Sequence, residues 1–184
     1  GSQQKQIDII RSFIAQKVDV IAFSPLIETG WDEVLKEARD AGIPVICSDR
    51  WVKVKDDSLY TTFIGSDFDE EGRRAARWLM DKMKDRAVVN IVELQGTIGS
   101  APAIDRKAGF EEIIKNSSRF RIIASESGDF TQEGGKAVMK KFLEQNGKNI
   151  DAVYAHNDDM AFGAIEAIEE YGLKPGKDVI IVSI

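Results

Sequence analysis

Apolar residues along this chain change their spacing from one segment to the next, alternating between a helical period and short continuous runs. Ile7, Ile10 and then Phe13 or Ile14 fall on the i, i+3, i+4, i+7 rule, which predicts a helix over about 4–17. The same reading predicts helices over about 30–41, 68–84, 102–116, 131–146 and 158–171. Between them, short runs rich in Val, Ile or Tyr predict strands near about 18–23, 44–48, 60–64, 88–94, 120–126, 151–155 and 179–183. Such alternation from end to end is the pattern of βαβ units and a parallel sheet, so the fold class is α/β. Local signals agree with it. Thr29-Gly30-Trp31-Asp32 reads as a capping box that opens the second helix, and Gly42 followed by Pro44 stops it. Gly172-Leu173-Lys174-Pro175-Gly176-Lys177-Asp178 separates the last helix from the last strand.

One link breaks the alternation. Strand 44–48 is followed by a charged loop and then by strand 60–64 with no helix between, which predicts an edge or crossover strand. Gly65-Ser66-Asp67 follows at once, and Asp67, Asp69, Glu70 and Glu71 crowd the start of the next helix, where the macrodipole favours acid. We place a lobe boundary there, with residues 1–65 forming a first lobe and 66–184 a second. The pattern opens on a helix with no strand before it and stops at Ile184 with no helix after the last strand. A parallel sheet cut in this way leaves apolar surface uncovered, so both lobes are expected to be incomplete at the termini, as part of a larger protein.

Composition narrows the function. The 184 residues are 43% hydrophobic and 30% charged, ordinary for a chain that folds. The net charge is −6 with a pI near 5.0, and the basic residues are scattered among acidic neighbours, which argues against a nucleic-acid partner. Cys47 is the only cysteine and lies in an apolar run, so no intrachain disulfide forms and a buried small hydrophobe is expected. No apolar run approaches the roughly 18 residues that cross a bilayer, so no membrane insertion is expected.

Candidate chemistry gathers where strands end. Ile43-Pro44-Val45-Ile46-Cys47-Ser48 runs into Asp49-Arg50, and Ala152-Val153-Tyr154-Ala155 runs into His156-Asn157-Asp158-Asp159. Polar clusters at strand ends are where open α/β sheets keep ligand sites. A carboxylate accepts hydroxyl protons and a guanidinium donates at fixed angles, so Asp49 and Arg50 suit a polyhydroxylated ligand; they would equally serve as a turn cap with a solvated arginine. Asn157, with donor and acceptor on one side chain, suits a pair of hydroxyls or a helix cap. Arg106, within one helical turn of Asp105 and Gly109, is a surface arginine or a further donor. His156 lacks a second nitrogen or sulfur ligand nearby, so no metal is expected. Gly96-Thr97-Ile98-Gly99-Ser100 sits where a phosphate cradle would lie, yet it has neither the P-loop ending nor the dinucleotide fingerprint, so no nucleotide cofactor is expected. There is no Gly-x-Ser-x-Gly elbow. Glu93 and Asp158 could in principle form a carboxylate pair for glycoside hydrolysis, against which a strand-interior Glu is more often a hydrogen-bonded structural group.

The succession TGW (29–31), IPVICSDR (43–50), ELQGT (93–97), AIDRKAGF (103–110), SGDFT (127–131), AHNDDMAFGAI (155–165) and GLKPGKD (172–178) resembles the ribose-type periplasmic sugar-binding proteins. The resemblance implies two Rossmann-like lobes joined by a hinge, a monosaccharide held between them, and a membrane permease of an ABC importer as partner. It implies a non-catalytic role in the periplasm, with galactofuranose or a related pentose or hexose as ligand. The family's sugar-contacting residues fall on Asp49, Arg50, Arg106 and Asn157. It also has a strand, helix and strand before the point where this chain begins, and an Asp-Gly after the last strand. A ligand-sensing domain of a LacI-type repressor or sugar sensor shares these lobes and is the alternative. Exposed sheet edges would also permit a dimer.

Overall fold

The computed structural model describes residues 2–184. Its elements in order are α1 (Gln3–Gln16), β1 (Ile21–Phe23), α2 (Asp32–Asp40), β2 (Val45–Ser48), β3 (Thr62–Ile64), α3 (Phe68–Lys82) and β4 (Val89–Gln95). There follow α4 (Ala101–Ile114), β5 (Phe120–Ser127), α5 (Gln132–Asn146), β6 (Ala152–Ala155), α6 (Asp158–Glu170) and β7 (Ile180–Ser183). Each predicted helix and strand is present. The first strand starts later than its apolar run, because Lys17 closes α1 in a left-handed conformation (φ 56°) and turns the chain before it can extend.

The chain forms two compact units. One comprises the residues through Ser66 with Gly99–Ala101, the other Asp67–Ile98 with Pro102–Ile184. The first holds a three-stranded sheet in the order β1-β2-β3, the second a four-stranded sheet in the order β5-β4-β6-β7, and every pairing is parallel. The strand after the broken alternation, β3, lies at the edge of its sheet, reached through a 3-10 turn at Asp57–Leu59 instead of a helix.

In the first unit Ile10 of α1, Leu35 and Ala38 of α2, and Val45 and Cys47 of β2 close one core around Trp31. Trp31 overturns the capping-box reading. It is itself the residue before α2, wholly buried, and its indole N–H donates to the Ile27 carbonyl at 2.7 Å. Gly30, at φ +87°, turns the chain left-handed and leaves Thr29 three residues before the first residue of α2, so no side chain caps α2. Asp32 instead accepts the Lys55 backbone N–H at 2.8 Å. Burial raises the Cys47 thiol to about 11, so it stays protonated and unreactive.

In the second unit strand periodicity sorts side chains to two faces. Val92 and Leu94 of β4 with Val153 and Ala155 of β6 pack against α5 and α6. Val89 and Ile91 with Ala152 and Tyr154 pack against α3 and α4. Counting on by two puts Glu93 and His156 on this second face, at the ends where the strands stop. No helix among the described residues is long and apolar enough to cross a membrane.

Candidate functional site

In the first unit β2 ends in a turn whose first residue, Asp49, is left-handed at φ 66°. Asp is among the few residues that tolerate this conformation, and the Asp49 N–H is held by the Ile64 carbonyl of β3 at 2.8 Å. Its carboxylate is exposed, with Ser24 Oγ donating at 3.5 Å and Arg50 Nε 3.7 Å away. The Arg50 side chain is four-fifths covered, and its Nη1 donates to the Leu26 carbonyl at 3.2 Å. An accepting group and a donating group are thereby fixed side by side at one strand end, as the sequence suggested.

The second unit assembles Arg106 and Asn157. Arg106 of α4 is 13% exposed; its Nε donates to Glu71 of α3 at 2.9 Å and its Nη1 to the His156 carbonyl at 2.7 Å. Its guanidinium carbon lies 5.0 Å from the centre of the Phe68 ring, a cation–π contact. The surface-arginine reading of Arg106 therefore fails: the guanidinium is held from three sides in one orientation. Asn157 caps α6, accepting the Met160 N–H at 3.2 Å, while its Nδ2 donates to the Phe130 carbonyl at 3.2 Å. That carbonyl is aimed by two consecutive left-handed residues, Asp129 (φ 55°) and Phe130 (φ 59°), with Asp129 accepting the Thr97 hydroxyl at 2.6 Å. A carboxamide carries two N–H groups and an oxygen with two lone pairs, so the cap does not exhaust it. Cap and ligand contact are compatible at this residue.

Sequence reasoning read Glu93 as a hydrogen-bonded structural group but missed its partners and what they hold. Glu93 and His156 are both fully buried. Glu93 Oε1 pairs with His156 Nε2 at 3.1 Å, Lys107 Nζ donates to Oε2 at 2.5 Å, and Ser125 Oγ donates to the same oxygen. On the other side of the imidazole, Nδ1 accepts the Gly96 N–H at 3.4 Å, which leaves the ring proton on Nε2, donating to the carboxylate. Burial alone would raise the Glu93 pKa, yet the bonds from His156, Lys107 and Ser125 outweigh it and hold the carboxyl below the usual range. Burial lowers His156, against the opposing pull of Glu93, so the imidazole is neutral. The period-2 alternation of β4 and β6 was the available signal, since it puts residues 93 and 156 on one face. Glu93 is thus the hydrogen-bonded structural group, and Asp158 in the first turn of α6 accepts the Ser183 hydroxyl. No cluster of metal-binding side chains occurs among the described residues.

A family model described as the periplasmic binding protein domain matches residues 1–184. The chain belongs to this family. It is 54% identical over 184 residues to the galactofuranose-binding protein YtfQ of Escherichia coli strain K12, covering 99% of this chain and 58% of that protein. Among solved structures it is similar to one from Mycobacterium smegmatis in complex with β-D-fucofuranose, at 56% identity and TM-score 0.96, covering 100% of this chain and 60% of that one. A third relative is the periplasmic binding component of the arabinose ABC transporter of Shewanella sp. ANA-3, bound to α- and β-L-arabinofuranose. It has 55% identity and TM-score 0.95, over 99% of this chain and 60% of that one. The chain spans less than two thirds of the length of each. The match to solute-binding proteins bears out the α/β fold with parallel sheets and the resemblance read from the motifs, and it gives the repressor alternative no support.

Proposed function

We propose that this chain belongs to the sugar-binding component of an ABC importer, works outside the cytoplasmic membrane, and binds a monosaccharide in its furanose form without transforming it. The two compact units are its two lobes. Asp49 accepts hydroxyl protons, Arg50 and Arg106 donate to ring and hydroxyl oxygens, and Asn157 does both. The observation that carries this reading is the immobilisation of Arg106. A guanidinium held by Glu71, the His156 carbonyl and the Phe68 face is a preorganised donor, and preorganisation is what lets a small ligand bind without a large ordering cost. The relatives' ligands, galactofuranose, fucofuranose and arabinofuranose, share the five-membered ring and differ in its substituents.

The test is isothermal titration calorimetry with L-arabinose, D-galactose, D-fucose and D-ribose, run on this chain and on a protein extended to its relatives' length. Saturable binding of at least one sugar by the longer protein is expected. No binding of any by the longer protein would sink the proposal. Light scattering on the same samples decides whether the sheet edges pair two copies.

A further inference from the structure

We propose that Glu93 and His156 are positioning residues for the sugar-binding groups of the second unit. The inference rests on the sugar-binding reading above. The His156 ring ties the end of β6 to Glu93 of β4 through Nε2 and to the loop after β4 through the Gly96 N–H. The carbonyl of the same residue receives Arg106 Nη1 at 2.7 Å, and the next residue in the chain is Asn157. The two ties of the imidazole therefore anchor the strand end that carries both the acceptor orienting the arginine and the backbone of the carboxamide. Tyr154 braces the other side, its hydroxyl donating to the Arg106 carbonyl at 3.1 Å while its ring stacks on Phe110.

Energetics favour this role over simple filling of the core. A buried carboxylate and imidazole lose hydration that their mutual bonds only partly restore, and apolar residues of similar volume usually stabilise a core as well or better. What the polar pair adds is direction. Glu93 Oε1 and the Gly96 N–H leave the ring a single tautomer and a single orientation, and Lys107, itself paired with Glu111 at 2.9 Å, keeps the carboxylate charged. The charged and titratable groups around the imidazole are Glu93 on β4, Arg106 and Lys107 on α4, Tyr154 on its own strand, and Glu71 on α3 behind Arg106. A proton added at Nδ1 would face the Gly96 N–H, donor against donor. The protonated form thus breaks the tie to the loop and weakens the site.

Coupling between two binding events is reciprocal, so sugar must in turn disfavour protonation of His156. His156 is the only histidine in the chain, which makes its ring resonances unambiguous. The experiment is ¹⁵N-imidazole NMR of the wild-type protein through a pH titration, with and without saturating L-arabinose, together with calorimetry of Glu93→Gln and His156→Phe on the sugar panel. We expect the Nε2–H tautomer, a His156 titration at least half a unit lower with sugar, and affinities at least tenfold weaker in both variants at unchanged secondary structure. Folded variants that bind like the wild type overturn the inference alone and leave the sugar-binding reading standing. If neither variant folds, the wild-type titrations decide: a downward shift supports the positioning role, and coincident curves or a ring that never titrates overturn it. A wild-type protein of the relatives' length that binds no sugar overturns both.

Discussion

Asn157 serves the helix through its oxygen and the Phe130 carbonyl through its amide, and the two roles separate by substitution. Asn157→Ser keeps a good cap but loses the Phe130 bond and cannot reach a ligand, so it should cost less thermal stability than Asn157→Ala while sugar affinity falls. Asn157→Ala should lose both, with about 1 kcal/mol of stability going with the cap. Differential scanning fluorimetry beside calorimetry distinguishes these, and equal affinity in Asn157→Ser would remove Asn157 from the site. Arg106→Lys keeps the charge but not the fork that reaches Glu71 and the His156 carbonyl together; a loss of about 1–3 kcal/mol in sugar binding, roughly 5- to 150-fold, is expected.

The buried pair also sets a pH dependence. His156 has its folded pKa below the ordinary value, so the unfolded chain binds its proton more readily. Its contribution is fully present above the unfolded value of about 6.5 and declines as pH falls below it. Glu93 is likewise lowered, and its contribution is lost further down, as pH falls below about 4.3. Urea unfolding at pH 8, 6 and 4 should show stability falling in both steps, and His156→Phe should remove the upper one. An unchanged profile in that variant would mean that the imidazole is not buried neutral.

At the scale of elements, site residues are set by how closely helices approach. A Cβ on Gly72 of α3 would run into the Arg106 carbonyl of α4, and one on Gly109 of α4 would run into the Asp69 carbonyl of α3. These two glycines let α3 bring Glu71 within 2.9 Å of Arg106. Gly109→Ala should therefore force the helices apart, at about 1–3 kcal/mol of stability, and weaken sugar binding as Arg106 loses its brace. A control is available across the sheet, where Gly163 of α6 meets the Gln132 carbonyl of α5 in the same way. Gly163→Ala should destabilise comparably with a smaller effect on affinity. Equal affinity losses from both would show that only global stability had been measured. These glycines were visible as letters but not as contacts, since a close approach depends on two helices at once. Trp31 makes the same point: its neighbours read as a cap, and only the core into which its ring falls shows why the helix starts one turn beyond Thr29.

The whole molecule has separate cores, one around Trp31 and Leu35 in the first unit and others on the two faces of the four-stranded sheet in the second. Leu35→Ala and Leu143→Ala each empty a fully covered site and should cost about 2–5 kcal/mol. Hydrogen exchange should find the lost protection mainly among amides of the unit that carries the substitution. Uniform loss across both would mean that the units unfold as one.

Hydrophobic spacing by itself determined the order of helices and strands, the parallel α/β class and the odd edge strand, because periodicity is a local property that each segment carries on its own. Polar groups at strand ends and on one helix marked Asp49, Arg50, Asn157 and Arg106 as candidate contacts, and the motif succession pointed to the family and to the same four residues. Only tertiary structure decided that Arg106 is clamped and not solvated, that Asn157 is cap and candidate contact together, and that Glu93 and His156 meet although 63 positions apart. The reason is physical: a hydrogen bond between adjacent strands depends on register and on which face each side chain takes, and neither is written in any one segment.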